Sequence, residues 1–372
     1  MIYLSQYLPR FVERFVEIMA SRKRLNDDLL EAVAQGQEQV IQDLLDRKAN
    51  VNQAKRKGTK DTPLHVAVTE CHYRCIELLI DRRANLMAEN GEHDTPLHIA
   101  AYDRARCMEI LLDRRASVNV VDPFRSTPLH GAATIGSREC VELLLDRQAN
   151  INAKDTYSHT ALYKASYHGR DQCVELLLDR QADINAALVD GHHDTPVQIA
   201  AKEGHYRCLE LLLDRGANVE SGRVGTGRTD DTPLILAVKR GNRRCVELLL
   251  DRQADIEVIE HYEHATPLHI AVKKGHLDCV ELLLDRRADI NAIKHRHHSV
   301  LHTATENHQH QCIELLLARH ANVNAVDSNL YTPLHIAAYY ASRQCLKILL
   351  DHGADKTLRN VRDSLSMYHC TS

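Results

Sequence analysis

A threonine-led phrase returns along this chain at a nearly fixed interval. Thr-Pro-Leu-His, or a variant of it, begins at Thr62, Thr95, Thr127, Thr160, Thr195 and Thr232, and again at Thr266, Ser299 and Thr332. The steps are 33, 32, 33, 35, 37, 34, 33 and 33 residues. A period of this size argues against one globular core. Each unit is too short to bury its own apolar face and must stack on its neighbours. Length alone, 372 residues, suggests two or three domains. The period points instead to one elongated array.

The unit makes physical sense residue by residue. Thr is a helix N-cap, and the Pro after it takes the first helical position, where a missing N–H costs nothing. Ser299 keeps the cap, while Ala161 and Val300 replace the proline. Small residues follow, as in "HIAA" at 98–101, and let this first helix lie close to its neighbour. A Gly or polar break ends it, as at Gly136, Gly169, Gly204, Gly241 and Gly275. A second helix is spelled by "CVELLLDR" at 140–147, repeated at 173–180, 245–252 and 279–286. Cys140, Leu143 and Leu144 fall on one face with Val141 and Leu145 beside them, and Glu142, Asp146 and Arg147 point away. So broad an apolar face predicts a helix flanked on two sides. Segments such as "ANINA" at 149–153 then lead through a hairpin-like turn to the next threonine.

These units resemble the ankyrin repeat family. The likeness is carried by "TPLHIA" at 95–100 and 332–337, by "VELLLDR" in the second helix, and by "GANVE" or "ANVNA" after it. It runs from about Leu25 to Asn360 in ten units. The first unit, at 28–52, lacks the TPLH phrase, as a capping repeat does. The resemblance implies an all-α repeat solenoid of stacked helix-turn-helix ankyrin units with hairpin-like fingertip loops. The expected organisation is an N-terminal amphipathic helix at 1–24, the repeat domain at 25–360 and a C-terminal tail at 361–372. Leu8, Phe11, Val12, Phe15 and Met19 make the apolar face of the first helix, expected to cover the first repeat or to dock a partner. One departure stands out. The family has Gly before the Ala of "GAN", and here only Gly216 and Gly353 keep it. Lys48, Arg83, Arg115, Gln148 and Gln181 replace it, as do Gln253, Arg287 and His320. If the backbone there is left-handed, each replacement costs about 1 kcal/mol.

Nine cysteines recur at the first apolar position of the second helix: Cys75, Cys107, Cys140, Cys173 and Cys208, then Cys245, Cys279, Cys312 and Cys345. Val40 holds that place in the first unit. Equivalent residues on packed helices lie roughly 8–10 Å apart. A disulfide needs Cα atoms within about 7 Å, and a linear ladder does not converge on a zinc ion. The ladder therefore reads as packing. Cys71 and Cys370 lie off it and are expected to be more reactive. An odd total of eleven at periodic spacing fits a reducing compartment.

The family resemblance assigns His65, His98, His130, His269, His302 and His335 to hydrogen bonds with neighbouring backbone. His192, His193, His261 and His264 fall on fingertips, as do His295, His297 and His298, and read as solvated loops without a metal. "GRVGTGRT" at 222–229 lacks the ending of a phosphate-binding loop and reads as an enlarged fingertip. No hydrolase set and no kinase signature appears, so no enzyme, cofactor or metal is expected. A net charge of −4 is too near neutral to suggest nucleic-acid binding. No run of 18 apolar residues suggests membrane insertion. The opening residues are interrupted by Arg10, Glu13, Arg14 and Glu17, unlike a secretory signal. The expected location is cytoplasmic, with the basic runs at 22–24 and 55–57 leaving a nuclear one open.

Ankyrin-like arrays bind partners on a concave face lined by the first helices and fingertips. The exposed positions after the small residues carry Lys202, Lys239, Arg240, Lys273 and Lys274. Tyr102, Tyr167, Tyr339 and Tyr340 lie toward both ends. Such a stripe suits an acidic protein segment, although Asp103, Glu203 and Glu306 interrupt it. The expected function is a monomeric, non-enzymatic protein-interaction scaffold or adaptor. The alternative is a substrate-recognition subunit of a ubiquitin ligase, since some ankyrin proteins carry a suppressor-of-cytokine-signalling box after the repeats. The residues at 361–372 are too few for such a box, so that role would fall to the N-terminal helix or require a longer chain.

Overall fold

The computed structural model describes residues 19–55, 58–186, 194–222 and 231–361. Among these the secondary structure is helical, with one isolated bridge between Ile293 and Ser299. The chain is an all-α repeat solenoid. Several sequence expectations fall outside the described residues: the apolar face at Leu8, Phe11, Val12 and Phe15, His192 and His193, residues 223–229, Cys370 and the tail beyond Val361. Residues 19–34 form one helix on which Met19, Arg22, Lys23 and Arg24 are exposed.

The chain divides into two compact units, Met1–Ala182 and Asp183–Ser372. In the first, helices such as Pro63–Thr69 and Tyr73–Asp81 pair within a repeat. In the second, the first helices are Pro196–Glu203, Pro233–Arg240, Pro267–Lys274, Val300–Glu306 and Pro333–Tyr339. Within each unit a helix packs on its own partner and on its counterpart in the adjacent repeat. Apart from the helix at 19–34, the helices are five to nine residues long, too short to persist alone in water, so stacking is what holds them.

The repeated phrase is a set of links that reach one repeat along. His65 Nδ1 accepts from the Thr62 N–H at 3.1 Å, which makes the ring neutral with its proton on Nε2. That Nε2–H donates to the Asp94 carbonyl of the next repeat at 3.0 Å. His130 and His302 repeat the link, reaching the His159 carbonyl at 3.0 Å and the Tyr331 carbonyl at 2.9 Å. The "DR" ending of the second helix makes another: Arg114 pairs with Asp81 at 2.9 Å, Arg147 with Asp113 at 2.8 Å, and Arg286 with Asp251 at 2.7 Å. The Asn-x-Asn turn makes a third. Asn50 Oδ1 accepts from its own turn at Asn52, and Asn52 Oδ1 accepts from Asn85 N–H in the next repeat at 2.7 Å.

The ladder cysteines are all buried, and Cys140 Sγ donates to the Ala100 carbonyl at 3.7 Å. Burial pushes the Cys245 thiol up to about 12 and those of Cys173, Cys279 and Cys312 up to about 11. The reactive thiolate is thereby suppressed. Cys71 is half-buried. Native alkylation at neutral pH should therefore modify Cys71 before any ladder cysteine, with the ladder at least a hundredfold slower than in denaturant. Rapid native labelling of most ladder cysteines, read by peptide mass spectrometry, would overturn the packing role.

All ten positions before the turn alanine are left-handed: eight non-glycine residues, from Lys48 (φ 67°) to His320 (φ 67°), and Gly216 and Gly353. The turn is a Schellman cap: Arg115 N–H reaches the Leu112 carbonyl and Ala116 N–H reaches that of Leu111. The strain inferred from the missing glycines is therefore present. Arg115→Gly, Gln148→Gly and Gln181→Gly should each stabilise the protein by up to about 1 kcal/mol, measured by chemical denaturation. Destabilisation by all three would show that contacts of the Arg and Gln side chains outweigh the backbone strain.

Candidate functional site

The five cations of the stripe occupy the ends of three successive first helices in the second unit. Lys202 lies on Pro196–Glu203, Lys239 and Arg240 close Pro233–Arg240, and Lys273 and Lys274 close Pro267–Lys274. Gly204, Gly241 and Gly275 follow at φ 79°, 72° and 71° and stop each helix there. Cations at these ends also complement the helix dipole. The sites are thus set by local sequence, whatever they bind.

Three of the five stripe cations are already engaged. Lys202 Nζ donates to Asp194 at 2.9 Å. Lys239 lies 2.7 Å from Asp231 and 3.3 Å from Glu260. Lys273 and Lys294 both donate to Glu263. Their electrostatics follow. The hydrogen bond from Lys273, against burial and with help from Lys294, pulls the Glu263 carboxyl down to about 2. Burial lowers Lys239, but Asp231 and Glu260 more than reverse this and hold it above the usual lysine value. Burial also raises Asp231, in spite of Lys239. The pair is unequal because Lys239 faces two carboxylates and Asp231 one ammonium. Arg240 and Lys274 are exposed, and neither makes an ion pair among the described residues.

These cations line a groove. A cavity of about 420 Å³ is bordered by Lys239, Arg240, Lys273, Lys274 and Lys294 against the carboxylates of Glu260 and Glu263. It shares Glu263, Lys273 and Lys294 with a second cavity of about 520 Å³. The second shares His298 and Glu306 with a third of about 440 Å³, which runs to Tyr339, Tyr340 and Val361. The groove therefore spans several repeats of one unit. Tyr339 is 72% exposed and Tyr340 46%, their rings meeting edge to face at 5.1 Å.

Tyr102 and Tyr167 belong to the first unit, where both are exposed. Tyr167 stacks near Tyr163 at 6.4 Å and meets His168 edge-on at 4.8 Å. The structure thus brings Lys239, Arg240, Lys273 and Lys274 together and sets Tyr339 and Tyr340 along the same groove. It places Lys202 one repeat away on an Asp194 ion pair.

Sequence reasoning missed the carboxylate partners. The Asp before Thr-Pro with a Lys eight residues on, Asp194 to Lys202 and Asp231 to Lys239, was a readable signal. Glu260 reaches Lys239 and Glu263 reaches Lys294 only through stacking, and Glu263 reaches Lys273 through its own fingertip folding back, which no local pattern shows. His298 was expected to be solvated in a fingertip. It is half-buried, 3.4 Å from Asp327 and 4.0 Å from Glu306. His261, His264, His295 and His297 are exposed as expected. Phe124, Tyr157 and Tyr262 are exposed fingertip aromatics that the stripe did not include. Among the described residues no group of three or more His, Cys, Asp or Glu is arranged to hold a metal ion. None of the described helices is long and apolar enough to cross a membrane.

Helix pairs linked one repeat to the next by His, Arg and Asn side chains define a repeat array, and the exposed groove of its second unit suits protein contact. The chain belongs to the ankyrin repeat family. The family model for ankyrin repeats in three copies matches residues 29–122, 106–188, 129–223, 199–294 and 291–360. The ankyrin repeat domain of human ASB11, seen in a crystal structure, is similar at 28% identity and a TM-score of 0.53, over 60% of this chain and 98% of that one. Human ankyrin repeat and KH domain-containing protein 1 is 38% identical over 68 residues, 18% of this chain. Human ankyrin repeat domain-containing protein 17 is similar to the same extent. The match spans 3% of the length of each of these two relatives. Ankyrin arrays are in general non-catalytic protein-interaction scaffolds.

Proposed function

We propose that this chain is a non-enzymatic scaffold or adaptor that binds an acidic segment of a protein partner across the Lys239–Lys294 end of the second unit's groove. The observation that carries this reading is the charge imbalance there: five cations meet three carboxylates, Asp231, Glu260 and Glu263, and Arg240 and Lys274 are exposed without an ion pair among the described residues. Three ammonium groups are held by their carboxylates, so Arg240 and Lys274 are the side chains with charge to offer a ligand. The proposed organisation is the repeat array at 25–360 with flanking segments at 1–24 and 361–372, acting as a monomer. Ten described cysteines are free, which supports a reducing compartment such as the cytoplasm.

A fluorescent glutamate-rich peptide tests the reading. It should bind the intact chain, lose affinity as salt rises past the point where the screening length falls to about 8 Å, and lose it again on Arg240→Glu with Lys274→Glu. Binding that is indifferent to both would reject the reading. Capture of a cullin adaptor by the immobilised chain would move it to the ubiquitin-ligase alternative.

A further inference from the structure

The groove changes sign along its length. At one end lie Lys239, Arg240, Lys273, Lys274 and Lys294. At the other, Glu306 and Asp327 stand beside Tyr331, Tyr339 and Tyr340. The two carboxylates differ from those at the cationic end in one respect. Glu260 and Glu263 each hold a lysine. Glu306 and Asp327 make no ion pair with any lysine or arginine among the described residues, and their shared neighbour is His298. That imidazole is not a permanent cation. Asp327 Oδ1 accepts from the Asn329 and Tyr331 N–H groups, both at 2.8 Å, which fixes the carboxylate in place. Glu306 remains 38% exposed at its side chain, with His298 at 4.0 Å.

The surroundings match a long cationic side chain. Tyr339 and Tyr340 present exposed faces at right angles, geometry that receives a cation by its attraction to ring electrons. Ile336 and Val361 line the same cavity and supply apolar surface for a methylene stem. Its volume of about 440 Å³ holds one arginine or lysine side chain with room for water. A purely acidic ligand is disfavoured here, because it would bring like charge onto Glu306 and Asp327.

We propose that the second unit's groove holds an extended peptide of two-signed charge, with acidic residues over Arg240 and Lys274 and an arginine or lysine side chain in the Glu306–Asp327–tyrosine pocket. The spacing follows from the stack. Lys273 and Lys274 lie two first helices away from Tyr339 and Tyr340. At roughly 8–10 Å per packed helix and about 3.3–3.6 Å per extended residue, the acidic residue over Lys274 stands about five or six residues from the cation, and the one over Arg240, one first helix further along, about eight. The inference rests on the acidic-segment reading above and adds to it the ligand's second charge and its spacing.

The probe is a set of fluorescent peptides in which three glutamates are joined to one arginine by Gly-Ser spacers of two, five or eight residues, in both chain orders. Companion peptides carry citrulline, which keeps the shape of arginine and removes its charge. In one chain order the arginine peptide with the five-residue spacer should bind the full chain at least tenfold tighter than its citrulline companion. The other spacers should show a smaller preference. Glu306→Gln with Tyr339→Ala should abolish the preference and leave the citrulline peptides unchanged. Both side chains are exposed enough for circular dichroism to confirm folding. Equal affinity for arginine and citrulline at every spacer and order overturns the inference, and so does a preference that survives the double variant. If the citrulline peptides also ignore Arg240→Glu with Lys274→Glu, the acidic reading fails and takes the two-signed ligand with it. If they respond while the arginine preference is absent, only the present inference fails.

Discussion

Between pH 7 and pH 5 the second unit is expected to lose about 4 kcal/mol of stability, and His269→Gln with His302→Gln to restore most of it. The two imidazoles are 1% and 0% exposed. Burial, against the pull of hydrogen bonds to the His298 and Tyr331 carbonyls, holds both down at about 4, where an unfolded histidine has 6.5. A base whose folded value is depressed binds fewer protons folded than unfolded. Its contribution is therefore complete above 6.5 and is lost as pH falls toward about 4. At pH 5 each costs about 2 kcal/mol relative to pH 7. Amide protection in helices Pro267–Lys274 and Val300–Glu306, corrected for intrinsic exchange, should drop roughly a thousandfold.

Repeat six shows why glutamine rescues. Gln198 Oε1 accepts from Thr195 N–H at 2.9 Å, and its Nε2 donates to the Asp231 carbonyl at 2.9 Å. It makes the same link with no proton to gain. Glu263 does not confuse the window, because its carboxyl titrates near 2 and costs stability only at more acidic pH. His65 and His130 are also lowered by burial, so the first unit should weaken over the same interval. Equal loss of protection at pH 5 in the wild type and the double variant would show that the links tolerate the charged ring.

The repeat, its two helices and the turn between them were legible because each is encoded within a few residues. Thr62 caps its helix and His65 is three positions on. Gly136 stops a helix at φ 93° where the sequence breaks. The partner of each link was less legible. Nothing near Arg114 names Asp81, and nothing near His302 names the Tyr331 carbonyl. Those partners lie about one period away, so a period predicts them once the stack is assumed. Charges were read least well. The stripe of lysines was visible, but Glu263 neutralises Lys273 through a fingertip that folds back onto the helix end. A side chain's sequence neighbours say little about a carboxylate that arrives by a hairpin.

That neutralisation separates two substitutions that look alike in sequence. Arg240→Glu with Lys274→Glu should weaken binding of a glutamate-rich peptide on the order of a hundredfold while leaving the melting midpoint nearly unchanged. Each exposed cation that contacts a carboxylate contributes about 1 kcal/mol, and reversal adds repulsion, so about tenfold per site follows. Lys239→Glu with Lys273→Glu should instead lower the melting midpoint. Lys239 sits between Asp231 and Glu260, and Lys273 and Lys294 share Glu263. A glutamate at 239 would place three carboxylates in one half-buried cluster, where like charges oppose each other's ionisation. Both double reversals change the formal charge by the same amount. A difference between them therefore cannot come from net charge and must come from local partners. If both leave affinity intact, the cations serve solubility alone. If both lower the midpoint equally, Arg240 and Lys274 are held by the fold as firmly as Lys239 and Lys273, and neither has charge to offer a partner.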